Sequence, residues 1–451
     1  MLIRFKVSNF LSFKEETEFS MVAGKERIHA HHVVKGEKNQ PNLLRAALLY
    51  GANAAGKSNF VKALYTLKER VLRSGSSPYS EDNFTSHTSK LLDVGVDMQI
   101  FEIEFISNDK IYHYTYWDMF DTVIVEKLSD ITNNIPVILI DRRLNSDKEI
   151  GFFKTSFLKN KEEKDFLKFI QRSTKPNKLL LTHSIENNAG WFQDAFGWFQ
   201  NSLQIIFPTT NDANIADRLR KDQDFNSYFA STLQKAGTGI TSINIETLAE
   251  TQKRIEDILN QRVKNTNKIS KTDSHLKNQI ESLAKINNDK SIKHLAENLN
   301  FIRLHHGKRL FSVLEESDGT QRLFDLAFPF YDLATSKTPK VYVVDEFDTR
   351  LHTNLSYMLL KSYLEQTGKG QLIATTHDTH LLDLDLLRRD EIWFAEKDEH
   401  DATQLYSLYE FNPRYDKKIE KEYLTGRFGA IPFLGNLEFK KQLAKNGKSK
   451  K

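Results

Sequence analysis

The chain contains no cysteine, which excludes disulfides, thiolate-bound zinc and thiol nucleophiles and fits a reducing compartment. No apolar run approaches the roughly 18 residues of a membrane span. The opening MLIRFKVSNF is too polar for a secretory signal, so a cytoplasmic protein without membrane association is expected. Charge of one sign is scarce as well: 64 basic against 60 acidic residues leave a net +4, and any basic binding face has to be local. Internal repeats and long low-complexity segments are missing, and no G-x-S-x-G or H-E-x-x-H pattern marks a hydrolase or zinc-protease centre. What remains is an ordinary globular composition, 39% hydrophobic and 27% charged, in a length that accommodates roughly two to four domains.

The organising stretch is Leu48-Leu49-Tyr50-Gly51-Ala52-Asn53-Ala54-Ala55-Gly56-Lys57-Ser58, an apolar run that breaks into a glycine-bounded loop. The spacing G-x-x-x-x-G-K-S lets Gly51 and Gly56 adopt angles barred to other residues, so that successive N–H groups converge on a phosphate at a helix N-terminus. Lys57 then reaches the β- and γ-phosphates, and the Ser58 hydroxyl holds Mg²⁺. Residues 43–50 predict a buried strand, and 59–70 a helix with Phe60, Ala63, Leu64 and Leu67 on one face.

Strand-forming sequence surrounds this loop. Residues 2–7 alternate in character, and 9–13 (NFLSF) turn toward a second short strand. Residues 73–90 read as a polar loop. Residues 99–106 and 111–116 face each other across Ser107-Asn108-Asp109-Lys110 as a hairpin, which 121–129 and 136–141 extend. Residues 1–145 are therefore expected to form an N-terminal lobe around the phosphate loop, followed by a helical insertion over 146–300. Helices are expected over 161–170 and 216–235. Ile245, Leu248, Ile255, Ile258, Leu259 and Val263 share a helical face, as do Leu276, Ile280, Leu283 and then Ile292, Leu295, Leu299, which predicts a helical hairpin. A C-terminal lobe is expected over 301–435 and a basic, frayed tail over 436–451.

In that lobe, 301–304 and 309–314 read as strands. Glu315 to Leu323 (EESDGTQRL) form a polar turn that opens a helix to about Leu333 and presents N–H groups and the Ser317 hydroxyl toward an anion. Val341-Tyr342-Val343-Val344-Asp345-Glu346 is a buried strand ending in two carboxylates, which strand alternation sends to opposite sides. Asp345 is expected to hold Mg²⁺ through its water shell and Glu346 to polarise the attacking water. A helix is expected near His352. Gln371 to Asp378 form another buried strand, ending in His377, which is placed to bond a γ-phosphate. His29, His31 and His32 read as a solvated loop, because no carboxylate or cysteine accompanies them at ligand spacing.

The motifs NFLSF, GANAAGKS, ESDGTQRL, VYVVDE and ATTHD resemble the ABC-type ATPase heads of the SMC, RecF and OLD lineage. The likeness is greater to stand-alone prokaryotic ATPases grouped with the AAA family, such as the RloA-type and PARIS-type anti-phage defence ATPases. It covers roughly residues 1–140 and 300–435 and is thin between them. The resemblance implies an α/β P-loop NTPase of ABC type: a mixed sheet core, an antiparallel β layer and an inserted helical lobe. It implies ATP and Mg²⁺ as ligands, with Gly51, Asn53, Gly56, Lys57, Ser58 and Asn59 at the nucleotide in cis. Ser317 and Gly319 of a second protomer would cap it in trans. Ser58 and Asp345 would hold the metal, Glu346 and His377 would act with Lys57 in catalysis, and Asp348 would belong to a loop between subunits. The sequence departs from the family in having ESDGT in place of a Leu-Ser-Gly-Gly signature. It also has no long coiled-coil arm and no room for a nuclease domain after the last core strand.

These readings together predict a homo-oligomeric ATPase, dimeric at least, that regulates a protein effector such as a nuclease encoded nearby. The rival expectation is a RecF-like or SMC-like clamp that closes on DNA for repair or maintenance.

Overall fold

The computed structural model describes residues 1–75 except 38, 98–119, 122–145, 150–152, 157–210 except 159, 215–260 except 248, 249, 252, 255, 258 and 259, and 302–431. The chain divides into two compact units: Met1–Ile205 with Val343–Glu346 and Gln371–Lys451, and Ile206–Tyr342 with Phe347–Gly370.

The first unit contains an antiparallel sheet of β1 (Leu2–Ser8), β2 (Thr17–Ser20), β6 (Met98–Ser107), β7 (Lys110–Met119), β8 (Thr122–Asp130), β9 (Val137–Leu144) and β10 (Ile150–Phe152), in the order β10-β9-β8-β7-β6-β1-β2. Alternation places Phe101, Ile103 and Phe105 of β6 on the buried face. The β6–β7 hairpin closes across Asn108 and Asp109, with φ of 47° and 63°. Such paired left-handed residues match the twist of the flanking strands, and Asn and Asp tolerate them.

The core sheet has the order β11-β15-β16-β5-β17-β18. Its strands are β5 (Ala46–Tyr50), β11 (Leu203–Ile206), β15 (Val341–Val344), β16 (Gln371–Thr375), β17 (Ile392–Lys397) and β18 (Thr403–Ser407). Strands β16 and β17 both run parallel to β5, and β18 returns antiparallel to β17. Every residue of β5 and β16 is buried, as strands covered on both faces require. The apolar run 43–50 is one strand by sequence but two in the structure. It breaks at buried Arg45, so that β4 (Leu43–Leu44) pairs with β3 (Val33–Val34) in a separate ribbon. Gln371 fastens the two main sheets: its Oε1 accepts from Leu2 N–H at 2.6 Å, and its Nε2 donates to the Leu2 and Leu44 carbonyls at 3.0 and 3.1 Å.

Helix α1 (Lys57–Arg73) follows β5 and buries Phe60, Ala63, Leu64 and Leu67, the face expected from its spacing. The unit then runs past residue 146, where a helical insertion was expected to begin. It takes in α2 (Lys161–Ser173), α3 (Leu180–Glu186) and α4 (Gln193–Gly197), because Trp198 and Phe199, just beyond α4, pack on Phe105 of the antiparallel sheet.

In the second unit, the predicted helix over 216–235 is two, α5 (Ile215–Lys221) and α6 (Gln223–Lys235). They part at Asp222, whose carboxylate accepts from Phe225 N–H at 2.9 Å and so starts a new helix. Strands β12 (Ser242–Ile245), β13 (Ile302–His306) and β14 (Arg309–Ser312) form a small antiparallel sheet. Ile245 is therefore a strand residue paired with Ile302, not the first member of a helical face, and the rest of that face, Leu248 to Leu299, lies outside the described residues. The basic tail also lies outside them. Helices α7 (Asp318–Thr335) and α8 (Thr353–Glu365) complete this unit, with the Phe324 and Phe229 rings 4.6 Å apart in its core. No helix among the described residues is long and apolar enough to cross a membrane.

Candidate nucleotide site

The carboxyl ends of parallel strands are where open α/β sheets bind ligands, because loops leave the sheet there and helices begin. Beyond β5 the chain bends through Gly51, Ala54 and Gly56, with φ of 154°, 64° and 105°, into α1. A Cβ at Gly51 would strike the Ala395 carbonyl of β17, and one at Gly56 would strike the Thr403 side chain of β18. Close approach thus demands both glycines independently of their backbone angles. Gly56 is the N-cap of α1 and offers no side-chain bond to it, so no capping side chain competes with an anion for the first turn. The buried Lys57 ammonium folds back on the loop, donating to the Gly51 and Ala52 carbonyls at 2.8 and 3.0 Å.

Next to this loop stand the two carboxylates that follow β15. Asp345 is buried, and its Oδ1 accepts from Ser58 Oγ at 3.1 Å and from Thr375 Oγ1 at 2.7 Å. The Thr375 hydroxyl in turn accepts from the Glu346 N–H at 2.8 Å. Glu346 is left-handed, with φ 49°, so the two acidic residues lie in a turn past β15, where strand alternation does not apply. A non-glycine residue held there costs about 1–2 kcal/mol, which the Thr375 bond helps to offset. Thr375 was not singled out from the sequence, although it sits two residues before His377. The signal was available only as a hydroxyl at the end of the strand adjoining β5.

Of the other expected residues, Asn53 is exposed at the tip of the loop and His377 is exposed just past the end of β16. The Asn59 amide donates to Ser12 Oγ at 2.8 Å, and Thr403 Oγ1 lies 2.7 Å from the same oxygen and 2.9 Å from the Ala55 carbonyl. Ser12 of NFLSF and Thr403 therefore brace the phosphate loop from behind. Ser317, Gly319 and Asp348 belong to the second unit. There Ser317 is the exposed N-cap of α7, accepting from Thr320 N–H at 3.2 Å, and a Cβ on Gly319 would come within 2.8 Å of the Arg350 carbonyl.

The histidine loop is solvated only in part: His31 is exposed and His29 half-buried, but His32 is not. His32 is buried, and its Nδ1 lies 3.0 Å from the buried Glu391 carboxylate, supplied from far along the chain. Burial, ahead of repulsion from His29, Arg45 and Arg388, pushes its imidazole down to about 3.

The chain is similar to three solved structures at 13% identity. A Smc head bound to the C-terminal winged-helix domain of ScpA gives a TM-score of 0.41, over 90% of this chain and 97% of that one. The SMC head domain from Thermotoga maritima gives 0.37, over 90% and 98%. The Smc head domain with an extended coiled coil, bound to the C-terminal domain of ScpA from Pyrococcus furiosus, gives 0.36, over 91% and 99%. No curated protein matches the chain. The family model described as "AAA domain, putative AbiEii toxin, Type IV TA system" matches residues 46–383, from the first residue of β5 to beyond His377. With that match covering well over half of its 451 residues, and with the glycine loop and paired carboxylates at the ends of a mixed sheet, the chain belongs to this AAA-domain family of P-loop ATPases.

Proposed function

We propose that the protein binds Mg²⁺-ATP at the phosphate loop, dimerises around it and hydrolyses it to ADP and phosphate, using this cycle to hold or release a protein effector in anti-phage defence. The observation that carries the nucleotide reading is the chain of bonds Ser58–Asp345–Thr375–Glu346 beside the uncapped start of α1. Ser58 and Asp345 present a hydroxyl and a carboxylate oxygen to one point, a hard donor set that fits Mg²⁺ completed by water and phosphate oxygens. When bound, the ion would neutralise charge on the phosphates. Lys57 leaves its loop carbonyls to reach those phosphates, the first-turn N–H groups of α1 orient them, and Glu346 accepts a hydrogen bond from the attacking water. His377, exposed just past β16, would bond the terminal phosphate. In the dimer, Ser317 and Gly319 of one protomer would meet the nucleotide of the other.

The effector and defence roles draw support from the resemblance to defence ATPases, and the family description speaks of a putative AbiEii toxin and a Type IV TA system. The test is Glu346→Gln. ATP affinity should persist while turnover falls by about 10²–10⁴-fold, the usual worth of a positioned general base. Light scattering should show an ATP-dependent dimer. Unchanged turnover removes Glu346 from its role. A pull-down of the trapped variant from cells carrying the neighbouring genes then reads the partner: a stoichiometric protein supports the effector switch, and DNA alone replaces it with the clamp.

A further inference from the structure

At the opposite end of β5 from the phosphate loop, three imidazoles come together. The donor nitrogens of His29, His31 and His32 all lie within 4.8 Å of one another. The His29 and His32 rings are stacked at 4.9 Å, and the His31 ring stands across His32 at 4.3 Å. The sequence places no carboxylate beside these histidines at ligand spacing, and the fold supplies one. His32 Nδ1 meets Glu391 Oε2 at 3.0 Å, and His29 Nε2 meets the Leu384 carbonyl at 2.9 Å. Metal-bound histidines almost always donate their second N–H to a carboxylate or carbonyl, which fixes the tautomer and aims the other nitrogen. With both bonds made, His32 Nε2 and His29 Nδ1 carry the lone pairs, and His31, exposed, rotates to join them.

We infer that His29, His31 and His32 bind a divalent transition metal of the zinc class, with Glu391 orienting His32 from behind and a water in the remaining position. Zinc–nitrogen bonds of about 2.0–2.1 Å place tetrahedral donors roughly 3.4 Å apart, so one nitrogen from each ring, all within 4.8 Å of one another, already lies near binding distance. The loop is already anchored for this. The buried Arg388 guanidinium donates to the carbonyls of Ile28 at 2.9 Å and of Glu26 and Gly24 at 3.3 Å, and Arg388 N–H donates to Glu391 Oε2 at 2.8 Å. The other Glu391 oxygen, Oε1, is buried without a hydrogen-bond partner among the described residues. Neutral imidazoles suit Zn²⁺, Co²⁺ and Ni²⁺ over Mg²⁺, so this site and the nucleotide site select different ions. The metal would pin residues 24–32 to the start of β17, the strand that backs Gly51.

The test uses untagged full-length protein stripped with a chelator and titrated with Zn²⁺ against a chromophoric competitor. One equivalent should bind with a Kd at or below about 1 µM, and Co²⁺ should give the visible bands of a four-coordinate site. His31→Ala, at an exposed position, should weaken binding at least tenfold, as should Glu391→Gln, while His400→Ala, elsewhere on the surface, changes nothing. ATP affinity of each sample reports that it is folded and is expected to stay constant. Failure to bind Zn²⁺ below about 100 µM, or stoichiometric binding indifferent to His31→Ala, overturns the assignment.

Discussion

Helices α1 and α7 both begin in glycine-containing turns that resemble nucleotide motifs, yet their N-termini are finished differently. α1 starts at Gly56 with no side-chain cap, and its first residue, Lys57, is buried. α7 starts at the exposed Ser317, whose hydroxyl accepts from the N–H of buried Thr320 at 3.2 Å and pairs with Thr320 Oγ1 at 2.9 Å. Free N–H groups at a partly buried helix start are costly unless something polar meets them. The first helix start therefore suits the ligand proposed for it, whereas at the second the Ser317 hydroxyl is already engaged and would meet the proposed nucleotide only by sharing that hydroxyl. Their contributions to ATP binding should be unequal.

The largest effect that tests this inequality is expected at Lys57. Lys57→Ala removes the only ammonium in the loop and should weaken ATP binding about 100-fold, in line with about 1.5–3 kcal/mol for a bond to a charged group. The fold should survive, since alanine is the best helix former and α1 has 17 residues. Titration with a fluorescent nucleotide reads it, and an unchanged affinity would deny α1 its privileged role. A smaller effect belongs to the turn beside it. Thr375→Val keeps the shape of the side chain but takes a donor from Asp345 and an acceptor from Glu346 N–H. It should cost about 1–3 kcal/mol in unfolding free energy and slow turnover about tenfold, equivalent to about 1.4 kcal/mol at the transition state. If denaturation and kinetics both match the parent, Thr375 does not hold the Glu346 turn.

The open helix start was readable in the chain because everything it needs lies within one contiguous run: strand, glycines, lysine and hydroxyl between Leu48 and Ser58. The β6–β7 hairpin was readable for the same reason, its strands and its Asn-Asp turn being adjacent. What escaped depends on pairings made across the fold. Ser12 and Thr403 brace the phosphate loop from positions 391 residues apart, and Glu391 reaches His32 across 359. The division at Arg45 and the strand character of Ile245 are tertiary choices of partner, which local periodicity does not contain. Strand alternation was expected to send Asp345 and Glu346 to opposite sides, but Glu346 sits in a left-handed turn held by Thr375.

The finest discrimination concerns α7, where capping and ligand binding compete for one hydroxyl. Ser317→Ala should destabilise the protein by about 1 kcal/mol, the usual worth of an N-cap, whether or not Ser317 ever meets a nucleotide. That variant alone does not separate the roles. Ser317→Asp does, because Asp caps a helix as well as Ser, so stability should stay within about 0.5 kcal/mol of the parent. Its carboxylate, however, would face the γ-phosphate of the other protomer's ATP, and like charges at that distance disfavour association. With Glu346→Gln to prevent hydrolysis, the ATP-dependent dimer should weaken at least tenfold while ATP affinity of the monomer is unchanged. Should the doubly substituted protein dimerise as well as Glu346→Gln alone, the start of α7 is a capped helix end and nothing more, and the two motifs differ in kind.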